Sequence, residues 1–486
     1  MNLKENCGVF GAYSKNEEVF PLLYWGMLAQ NHRGHQSHGF ATFNNEIETY
    51  TELGLIPPIK EPGKESRVRI LEGNVGIGNV RYTTSGSSDV RGLCRDAMPI
   101  KVTGENRSLA ISFNGNIVNV RELQRKIGVD NSFSDTHAFA ELMLRTLEKT
   151  GSLGEAVKMC MTSIDGAYSI TGLLDDETIF AFKDPVGIKP LCYGFKDGVY
   201  AFSSESTGLD INGIEWQREL RPGELLSIQD GRMLQEQLVP SKKQAFCGFE
   251  FAYFARPDSR LNGKYVYDAR RGFGAALARV YSDIAQRCDV VIGIPETAND
   301  SAYGFHEESG IPWDMATRRH RYVSQRAFIT DSEDRDNVIY RKLNIIGSKL
   351  VGKRLAVIDD SIVRGDTTRG TVKRFREAGC REVHLFITYP RIIAPCFYGI
   401  DMSTYSELIG SRLSPEQIAD EIGANTVNFL PMAEYIKETG MRPDQLCLGC
   451  ITDKYPTPLA NELANKMKHL LKQGETEKGR IYENIE

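Results

Sequence analysis

Hydrophobic and polar residues alternate in two different ways along the chain. Up to about residue 235, short β-type runs such as SLAISFNGNIV (108–118) and TIFAFKD (178–184) are separated by turn residues. Two stretches with apolar residues at helical spacing interrupt these runs, EVFPLLYWGMLAQN (18–31) and THAFAELMLRTLEK (136–149). This pattern predicts a layered α+β domain.

From about residue 265, helix-like segments alternate with short apolar strands. RRGFGAALARVYSDIAQR (270–287) precedes the strand DVVIGIP (289–295), and the strand RLAVIDD (354–360) precedes the helix TRGTVKRFREAG (368–379). Helices between buried strands indicate a parallel sheet, and hence an α/β domain. Residues 459–486 are rich in lysine and glutamate, which predicts an amphipathic helix that continues as a solvated tail.

Composition narrows the class of protein. The 486 residues are enough for two or three domains. The net charge of -5 gives no electrostatic reason to expect nucleic acid or a membrane as partner. The start of the chain lacks the apolar core of a signal peptide, and no run of about 18 apolar residues follows. We therefore expect a soluble, cytoplasmic protein that acts on small molecules.

Ten cysteines in a chain without a secretory signal argue against a disulfide framework, because cytosolic thiols are kept reduced. Five of them lie in or beside apolar stretches, where a cysteine behaves as a small hydrophobic residue. These five are Cys94, Cys160, Cys192, Cys288 and Cys380.

The segment LAVIDDSIVRGDTTRG (355–370) is an apolar strand that ends in two aspartates and continues through a glycine-containing loop into a helix. Open parallel sheets bind ligands beyond the carboxyl ends of their strands, and a helix N-terminus offers free N–H groups to phosphate. Paired acids suit sugar hydroxyls or Mg²⁺. The residues alone therefore favour a phosphate site no more strongly than an ordinary strand-to-helix connection.

Cys7 opens the string CGVFG near the amino terminus. A buried structural cysteine is one interpretation. The other is a nucleophile, because a cysteine at a true N-terminus has its own base in its α-amino group, whose pKa is about 7.7 to 8.0. That chemistry requires removal of residues 1–6, since an acylated amine is not basic.

Cys447 and Cys450 form a C-x-x-C pair, and Cys247 and Cys396 lie far from it in sequence. Four thiolates bind either zinc or an iron-sulfur cluster, and spacing alone does not decide between them.

Taken together, DDSIVRG, GIPETAND, NHRGHQSHG, NVRYTTSG, FNGNIVN, SDTHAF and CGVFG resemble the motifs of the amidophosphoribosyltransferases, in the same order. The resemblance covers the chain from Cys7 to about Pro458. It implies an N-terminal nucleophile (Ntn) hydrolase αββα sandwich, which is a class II glutaminase, followed by a type I phosphoribosyltransferase domain. The implied boundaries are a propeptide at 1–6, a glutaminase at 7–235, a phosphoribosyltransferase at 245–458 and a tail at 459–486.

For the glutaminase, the resemblance implies that Cys7 attacks the glutamine amide. Asn114 and Gly115 would form the oxyanion hole, and Arg81 and Asp135 would bind the carboxylate and the ammonium of glutamine. Arg33 would help to close the pocket. The common HRGQ pattern is altered to HRGHQSHG, and we expect His35 and His38 to have surface or packing roles.

For the phosphoribosyltransferase, the resemblance implies that Asp359 and Asp360 bind the ribose hydroxyls. Thr297 and the two aspartates would hold Mg²⁺, and a mobile loop would contribute further contacts. The other implied substrate-binding residues are Ser361, Arg364, Gly365, Asp366, Thr367 and Thr368, with Arg321, Tyr322, Arg341 and Lys342 in the mobile loop. Asp366 and the string IIG (345–347) depart from the family pattern, as do Glu296 and Thr297, which stand where Asp and Ser are more usual.

The strings around the four remaining cysteines resemble the iron-sulfur branch of this family, whose members have a cleaved propeptide like MNLKEN. This implies a 4Fe-4S cluster on Cys247, Cys396, Cys447 and Cys450. It also implies the first reaction of purine synthesis, in which glutamine and phosphoribosyl pyrophosphate give 5-phosphoribosylamine, glutamate and pyrophosphate. Purine nucleotides are the expected inhibitors, and a homotetramer is the expected assembly.

Two alternatives stand beside this interpretation. One is a class II amidotransferase with another acceptor, against which the DDSIVRG motif argues. The other is a non-catalytic iron-sulfur regulator, which the altered HRGHQSHG and phosphate-loop residues make conceivable.

Overall fold

The computed structural model describes residues 7–59, 68–82, 90–241, 243–319, 343–475 and 477. In the first half of the chain the strands are β1 (Gly8–Ser14), β2 (Ser37–Asn44), β3 (Glu46–Leu53), β4 (Val75–Arg81), β5 (Ile100–Thr103), β6 (Ser108–Ile117), β7 (Gly166–Leu174), β8 (Ile179–Lys183), β9 (Cys192–Lys196), β10 (Val199–Ser203), β11 (Trp216–Glu219), β12 (Glu224–Gln229) and β13 (Arg232–Gln237). The helices are α1 (Phe20–Ala29), α2 (Val90–Arg95), α3 (Val120–Ile127), α4 (Asp135–Thr150), α5 (Leu153–Ser163) and α6 (Ser206–Asp210).

Two antiparallel sheets stack face to face in this half. One has the order β11-β9-β10-β1-β4-β2-β3 and the other β13-β12-β8-β7-β6-β5. A buried apolar layer that includes Val9, Ile77 and Leu173 lies between them. Helices α3, α4 and α5 pack on the outer face of the second sheet, and α1 on that of the first. The result is the predicted αββα sandwich.

The second half contains the strands β14 (Phe246–Cys247), β15 (Arg260–Leu261), β16 (Lys264–Tyr265), β17 (Val290–Gly293), β18 (Thr317–Arg319), β19 (Leu343–Ile345), β20 (Arg354–Asp359), β21 (Glu382–Ile387), β22 (Thr426–Phe429) and β23 (Leu446–Cys447). Its α-helices are α7 (Val266–Val280), α8 (Ser282–Ala285), α9 (Asn299–Ser309), α10 (Asp366–Glu377), α11 (Ile409–Arg412), α12 (Pro415–Ile422), α13 (Met432–Thr439), α14 (Gly449–Thr452) and α15 (Pro458–Lys472). A π-helix spans Glu250–Phe254, and two short 3-10 helices span Gly347–Lys349 and Pro443–Gln445.

A parallel sheet of order β17-β20-β21-β22 forms the centre of this half. Its strands alternate between two cores, so that Ile358 and Phe386 face α7 and α9 while Val357 and Leu385 face α10 and α12. Because helices cover both faces, the strands are almost continuously apolar, as the string LAVID predicted.

The two halves share one apolar core rather than meeting at a wet interface. Val118, Ala167 and Ile188 of the sandwich belong to the same buried cluster as Phe249 and Tyr389 of the second half.

Several sequence expectations need correction. The first half contains four described helices beyond the two expected. The signals for two of them were present, because Ser152 accepts a hydrogen bond from the Glu155 N–H at the start of α5, and Gly128 ends α3 in the left-handed region. Cys94 was expected to be a small core residue, but it is exposed on the short helix α2.

The predicted mobile-loop residues Arg321, Tyr322, Arg341 and Lys342 lie outside the described residues, as does the predicted propeptide. None of the helices described is both long enough and apolar enough to cross a membrane.

Candidate active sites and cysteine centre

Cys7 is buried at the point where the chain enters β1. Its Sγ lies 3.5 Å from the carbonyl oxygen of Tyr82, which follows β4, the neighbour of β1 in the sheet. Burial raises the pKa of the Cys7 thiol, and the nearby positive charge of Arg81 acts in the opposite direction. A thiol in this position stays protonated near neutral pH, so nucleophilic attack needs a base.

Arg81 and Asp135 supply opposite charges around this thiol, and both are buried. Arg81 ends β4, and its guanidinium lies 4.0 Å from the carboxylate of Asp96. Asp135 is the first residue of α4 and accepts hydrogen bonds from the N–H groups of Ile117 (3.2 Å) and Thr136 (2.9 Å). A carboxylate is stabilised at a helix N-terminus. The charges suit the two ends of a free amino acid.

Asn114 lies in the middle of β6 and is fully buried. Among the residues described, neither its amide nitrogen nor its amide oxygen has a hydrogen-bond partner. Such a group normally costs free energy, so Asn114 is a candidate for binding a ligand. At Gly115 a side chain would collide with the Ala167 carbonyl oxygen, which explains the glycine.

Arg33 does not face open space but lies in a buried ion-pair network. Its Nε donates to the Cys7 carbonyl at 3.2 Å, and its two terminal nitrogens donate to Glu250 at 3.0 and 2.7 Å. It also donates to Glu205 at 2.5 Å. Burial acts to lower the pKa of Arg33, but the charges of Glu250 and Glu205 outweigh it and raise that pKa.

His38 has a packing role, as expected. It is buried on β2 against the rings of Phe40 and Tyr50, with Nδ1 3.0 Å from the Gly54 carbonyl. Burial lowers the pKa of its imidazole, so it is neutral at physiological pH.

In the second half, Asp359 ends β20 and Asp360 follows it at the carboxyl edge of the parallel sheet. Asp360 accepts hydrogen bonds from the hydroxyls of Thr297 and Ser361, both at 2.5 Å. Burial raises the pKa of both carboxyls, and the neighbouring Asp360 adds to the effect on Asp359. Two carboxylates held together in this way favour a cation or hydroxyl groups as their ligand.

The loop after this pair leads into α10. Gly365 adopts a φ of 88°, which favours glycine, and a side chain there would meet Ile409. Asp366, Thr367 and Thr368 form the first turn of α10, where backbone N–H groups are free for a phosphate. Asp366 is exposed and lies 3.3 Å from Arg369.

Arg364 points elsewhere. Its Nε donates to Glu407 at 2.5 Å, and Glu407 in turn accepts the N–H groups of Ser403 and Thr404. In this structure Arg364 fastens the loop to the segment before α11.

Cys247, Cys396, Cys447 and Cys450 meet at one cavity, although they come from three segments that are far apart in sequence. Cys247 and Cys447 are paired on the parallel strands β14 and β23, and Cys396 and Cys450 complete the set. The cavity is otherwise lined by Ile188, Tyr398, Ile400, Gly449 and Tyr455. The Tyr398 N–H donates to the Cys396 sulfur at 3.3 Å, and the Tyr389 hydroxyl lies 3.2 Å from the Cys450 sulfur.

Three functional candidates escaped the sequence analysis. Glu205 and Glu250 carry no motif, and only the folded chain reveals that they surround Arg33. Lys189 is buried, and its Nζ has no hydrogen-bond partner among the described residues. Its charge reaches Cys7 on one side and Cys247, Cys396 and Cys447 on the other.

Known proteins are similar to this chain in sequence over most of its length. A family model described as a glutamine amidotransferase domain matches residues 91–210. The amidophosphoribosyltransferase of Methanocaldococcus jannaschii is 37% identical over 93% of this chain and 98% of its own length. The corresponding enzyme of Methanothermobacter thermautotrophicus is 35% identical over 95% and 97%, respectively.

Solved structures give the same picture. The glutamine phosphoribosylpyrophosphate amidotransferase of Bacillus subtilis, complexed with ADP and GMP, superposes with a TM-score of 0.83 at 35% identity, covering 93% of this chain and 98% of that one. A structure described as the allosteric regulatory enzyme of purine biosynthesis has a TM-score of 0.84 at 34% identity, covering 93% and 97%.

The fold and its two polar centres thus define a glutamine amidotransferase joined to a phosphoribosyltransferase. With relatives above 30% identity along nearly all of its length, the chain belongs to the amidophosphoribosyltransferase family.

Proposed function

We propose that the chain hydrolyses glutamine at Cys7 and transfers the ammonia to phosphoribosyl pyrophosphate, giving 5-phosphoribosylamine, glutamate and pyrophosphate. One observation carries the proposal. The same chain that buries Cys7 within reach of the charges of Arg81 and Asp135 also holds Asp359 and Asp360 at the carboxyl edge of a parallel sheet. The reaction is the first step of de novo purine synthesis.

At the glutaminase site, the α-amino group of Cys7 takes the proton of its own thiol once residues 1–6 are removed. Arg81 binds the carboxylate of glutamine, and Asp135 binds its ammonium. The unsatisfied Asn114 amide and the Gly115 N–H stabilise the oxyanion that forms on attack. Arg33 holds the backbone of the nucleophile through the Cys7 carbonyl.

At the acceptor site, Asp359 and Asp360 bind the ribose hydroxyls, and the first turn of α10 binds the 5-phosphate. Ser361 and Thr297 fix the orientation of the Asp360 carboxylate. The pair also fits Mg²⁺, which prefers one or two carboxylates together with substrate phosphates. When bound, Mg²⁺ would neutralise the charge of the pyrophosphate leaving group.

For the cysteine centre we propose a 4Fe-4S cluster on Cys247, Cys396, Cys447 and Cys450. Its support is the cavity that all four cysteines line, together with the hydrogen bonds of the Tyr398 N–H to Cys396 and of the Tyr389 hydroxyl with Cys450. The cluster would join three distant segments and stabilise the fold.

This proposal places the chain in the iron-sulfur branch of the family, in which the leader is removed after Asn6. We further propose a cytoplasmic location, since all ten cysteines are free. Purine nucleotides are the proposed inhibitors, because the Bacillus subtilis relative binds ADP and GMP in its solved structure. A homotetramer remains a proposal of the same kind.

Glutamate release measured with and without phosphoribosyl pyrophosphate tests the activity against its rivals. The proposal predicts release that depends on the sugar phosphate. A non-catalytic regulator would release no glutamate, and an amidotransferase with another acceptor would release glutamate independently of this sugar.

Metal analysis of anaerobically purified protein tests the cluster. We expect about four iron atoms for each chain and a brown colour. Colourless protein that contains zinc would contradict the cluster. Mass spectrometry of the same sample tests the leader, because full glutaminase activity with residues 1–6 still attached would refute the Cys7 mechanism.

A further inference from the structure

A carboxylate from the second half of the chain is joined to the proposed nucleophile through one arginine. Glu250 is fully buried and is the first residue of the π-helix Glu250–Phe254. Its two oxygens accept from the two terminal nitrogens of Arg33, at 2.7 and 3.0 Å. This bidentate pair is the geometry in which an arginine is held most rigidly.

The same arginine holds the main chain of the nucleophile. The third guanidinium nitrogen, Nε, donates to the Cys7 carbonyl at 3.2 Å. In the proposed mechanism both the thiol and its base belong to residue 7, so the orientation of this residue sets the geometry of proton transfer. Small displacements of reacting groups are costly, at about 100-fold in rate for 1 Å.

The other side of the π-helix is held by a helix of the phosphoribosyltransferase half. Arg270 on α7 is buried and donates to the carbonyls of Phe251 (3.0 Å), Tyr253 (3.3 Å) and Ala255 (2.8 Å). One turn of π-helix therefore lies between Arg33, which holds Cys7, and Arg270 on α7.

We propose that Glu250 is a positioning residue for the glutaminase nucleophile, acting through Arg33, and that the π-helix makes the geometry of Cys7 depend on the phosphoribosyltransferase half. This inference rests on the proposed function. Glu250 reaches residue 7 through Arg33, so its effect falls on the rate of the chemical step rather than on glutamine binding.

The variant Glu250→Gln tests the inference. Glutamine keeps the size of the side chain but removes its charge and one acceptor. The variant is expected to fold, because Glu205 still neutralises Arg33 from the glutaminase side. We expect kcat for glutamine hydrolysis to fall about 10- to 100-fold with KM for glutamine within about twofold of the wild type.

Glu224→Gln is the matched control. Glu224 makes the same kind of bidentate pair, with Arg218 at 2.8 and 2.7 Å. This pair joins β11 to β12 and does not hold the nucleophile. This control should keep the wild-type kcat. Product formation from added ammonium chloride should be retained in both variants, because that route bypasses Cys7.

Alkylation of Cys7 by a chloromethyl ketone analogue of glutamine gives a second readout, followed by mass spectrometry. We expect slower alkylation in Glu250→Gln than in Glu224→Gln. Equal kcat and equal alkylation rates in the two variants would overturn the inference, as would a rise in KM alone. A wild-type protein that hydrolyses no glutamine would overturn the proposed function and this inference together.

Discussion

At the scale of single residues, the glutaminase chemistry depends on a thiol that is unreactive by itself. Burial raises the pKa of Cys7, and among the described residues its Sγ bonds to a backbone carbonyl rather than to a histidine. In the proposed mechanism the α-amino group exposed by removal of residues 1–6 is the base for this thiol.

This requirement fixes the pH dependence of glutamine hydrolysis. The α-amine accepts the thiol proton only in its neutral form. The pKa of the α-ammonium group is about 7.7 to 8.0 in unperturbed chains. Activity should therefore be low below this pKa and reach a plateau above it. A kcat/KM profile for glutamine measured between pH 6 and 9 checks this, and a rate that falls as the pH rises through this range would contradict the assignment of the base.

Lys189 gives a second prediction at this scale. Among the described residues its buried Nζ has no hydrogen-bond partner, and its charge acts on Cys247 and Cys447, where it can balance the thiolates of the proposed cluster. In Lys189→Met we expect iron to be lost to a chelator roughly tenfold faster than in the wild type, because the thiolates lose this countercharge.

Lys183→Met is the control for that experiment. Lys183 is also a buried lysine, but it stacks over the Phe246 ring and its charge acts chiefly with Glu219. Equal rates of iron loss in the two variants would show that Lys189 has no special relation to the cluster.

The sequence revealed residues whose role depends on local motifs. Cys7, Asp359, Asp360 and the four cysteines were predicted in this way, and the structure brings the four cysteines to one cavity. The sequence could not reveal Glu205 and Glu250. Each lies more than 170 residues from Arg33 along the chain, and their importance arises only when folding brings them to Arg33. Arg33 itself was predicted beside the pocket, but its ion pairs were not.

At the scale of elements, the strand β20, its loop and α10 form one device, which we propose binds phosphate. Burial of β20 fixes the aspartate pair at the sheet edge, and Gly365 supplies the backbone conformation that starts α10. Sequence analysis predicted the strand and helix, because their apolar spacing is regular. The residues at which β20 and α10 begin and end are set by the helix cap and by packing, which the apolar spacing does not specify.

Asp366 is an unusual residue in this device, since it places a negative charge beside the expected phosphate. We predict that Asp366→Asn binds phosphoribosyl pyrophosphate about two- to fivefold more tightly, measured as KM or by calorimetry. The helix should lose roughly 0.3 to 1 kcal/mol, because an acidic side chain stabilises a helix N-terminus.

Glu416→Gln provides the comparison for this variant. Glu416 lies in the first turn of α12, so its replacement should lower stability in a similar way without changing affinity. Unchanged or weaker substrate binding in Asp366→Asn would mean that the phosphate does not approach this turn.

At the scale of the whole molecule, the two halves behave as one folded unit. They share an apolar core. Hydrogen bonds between the halves add to it, near Cys7 and near the four-cysteine cavity. Asn116, two residues after the proposed oxyanion residue Asn114, donates to the Phe397 carbonyl at 2.9 Å, and Phe397 follows the proposed cluster ligand Cys396. The sequence predicted two domains, but their shared core could not be predicted because it is formed by side chains from both.

The hydrogen bond from Asn116 to the Phe397 carbonyl, which joins the two halves, predicts the effect of Asn116→Leu. Loss of the amide leaves the Phe397 carbonyl buried without this donor, which should lower the free energy of unfolding by about 1 to 3 kcal/mol. Glutamine hydrolysis should fall as well. In Asn428→Leu, which removes a buried bond to the Leu385 carbonyl at 2.9 Å within the parallel sheet, stability should fall while hydrolysis is kept. Equal hydrolysis in both variants would contradict a functional junction.

The most direct test of the central claim is the stoichiometry of the complete reaction. Wild-type protein given glutamine, phosphoribosyl pyrophosphate and Mg²⁺ is assayed for glutamate and pyrophosphate in the same sample. The account predicts equal amounts of the two products, with Asp359→Asn/Asp360→Asn releasing no pyrophosphate. Glutamate that accumulates without pyrophosphate, or pyrophosphate release that survives the loss of both aspartates, would contradict it.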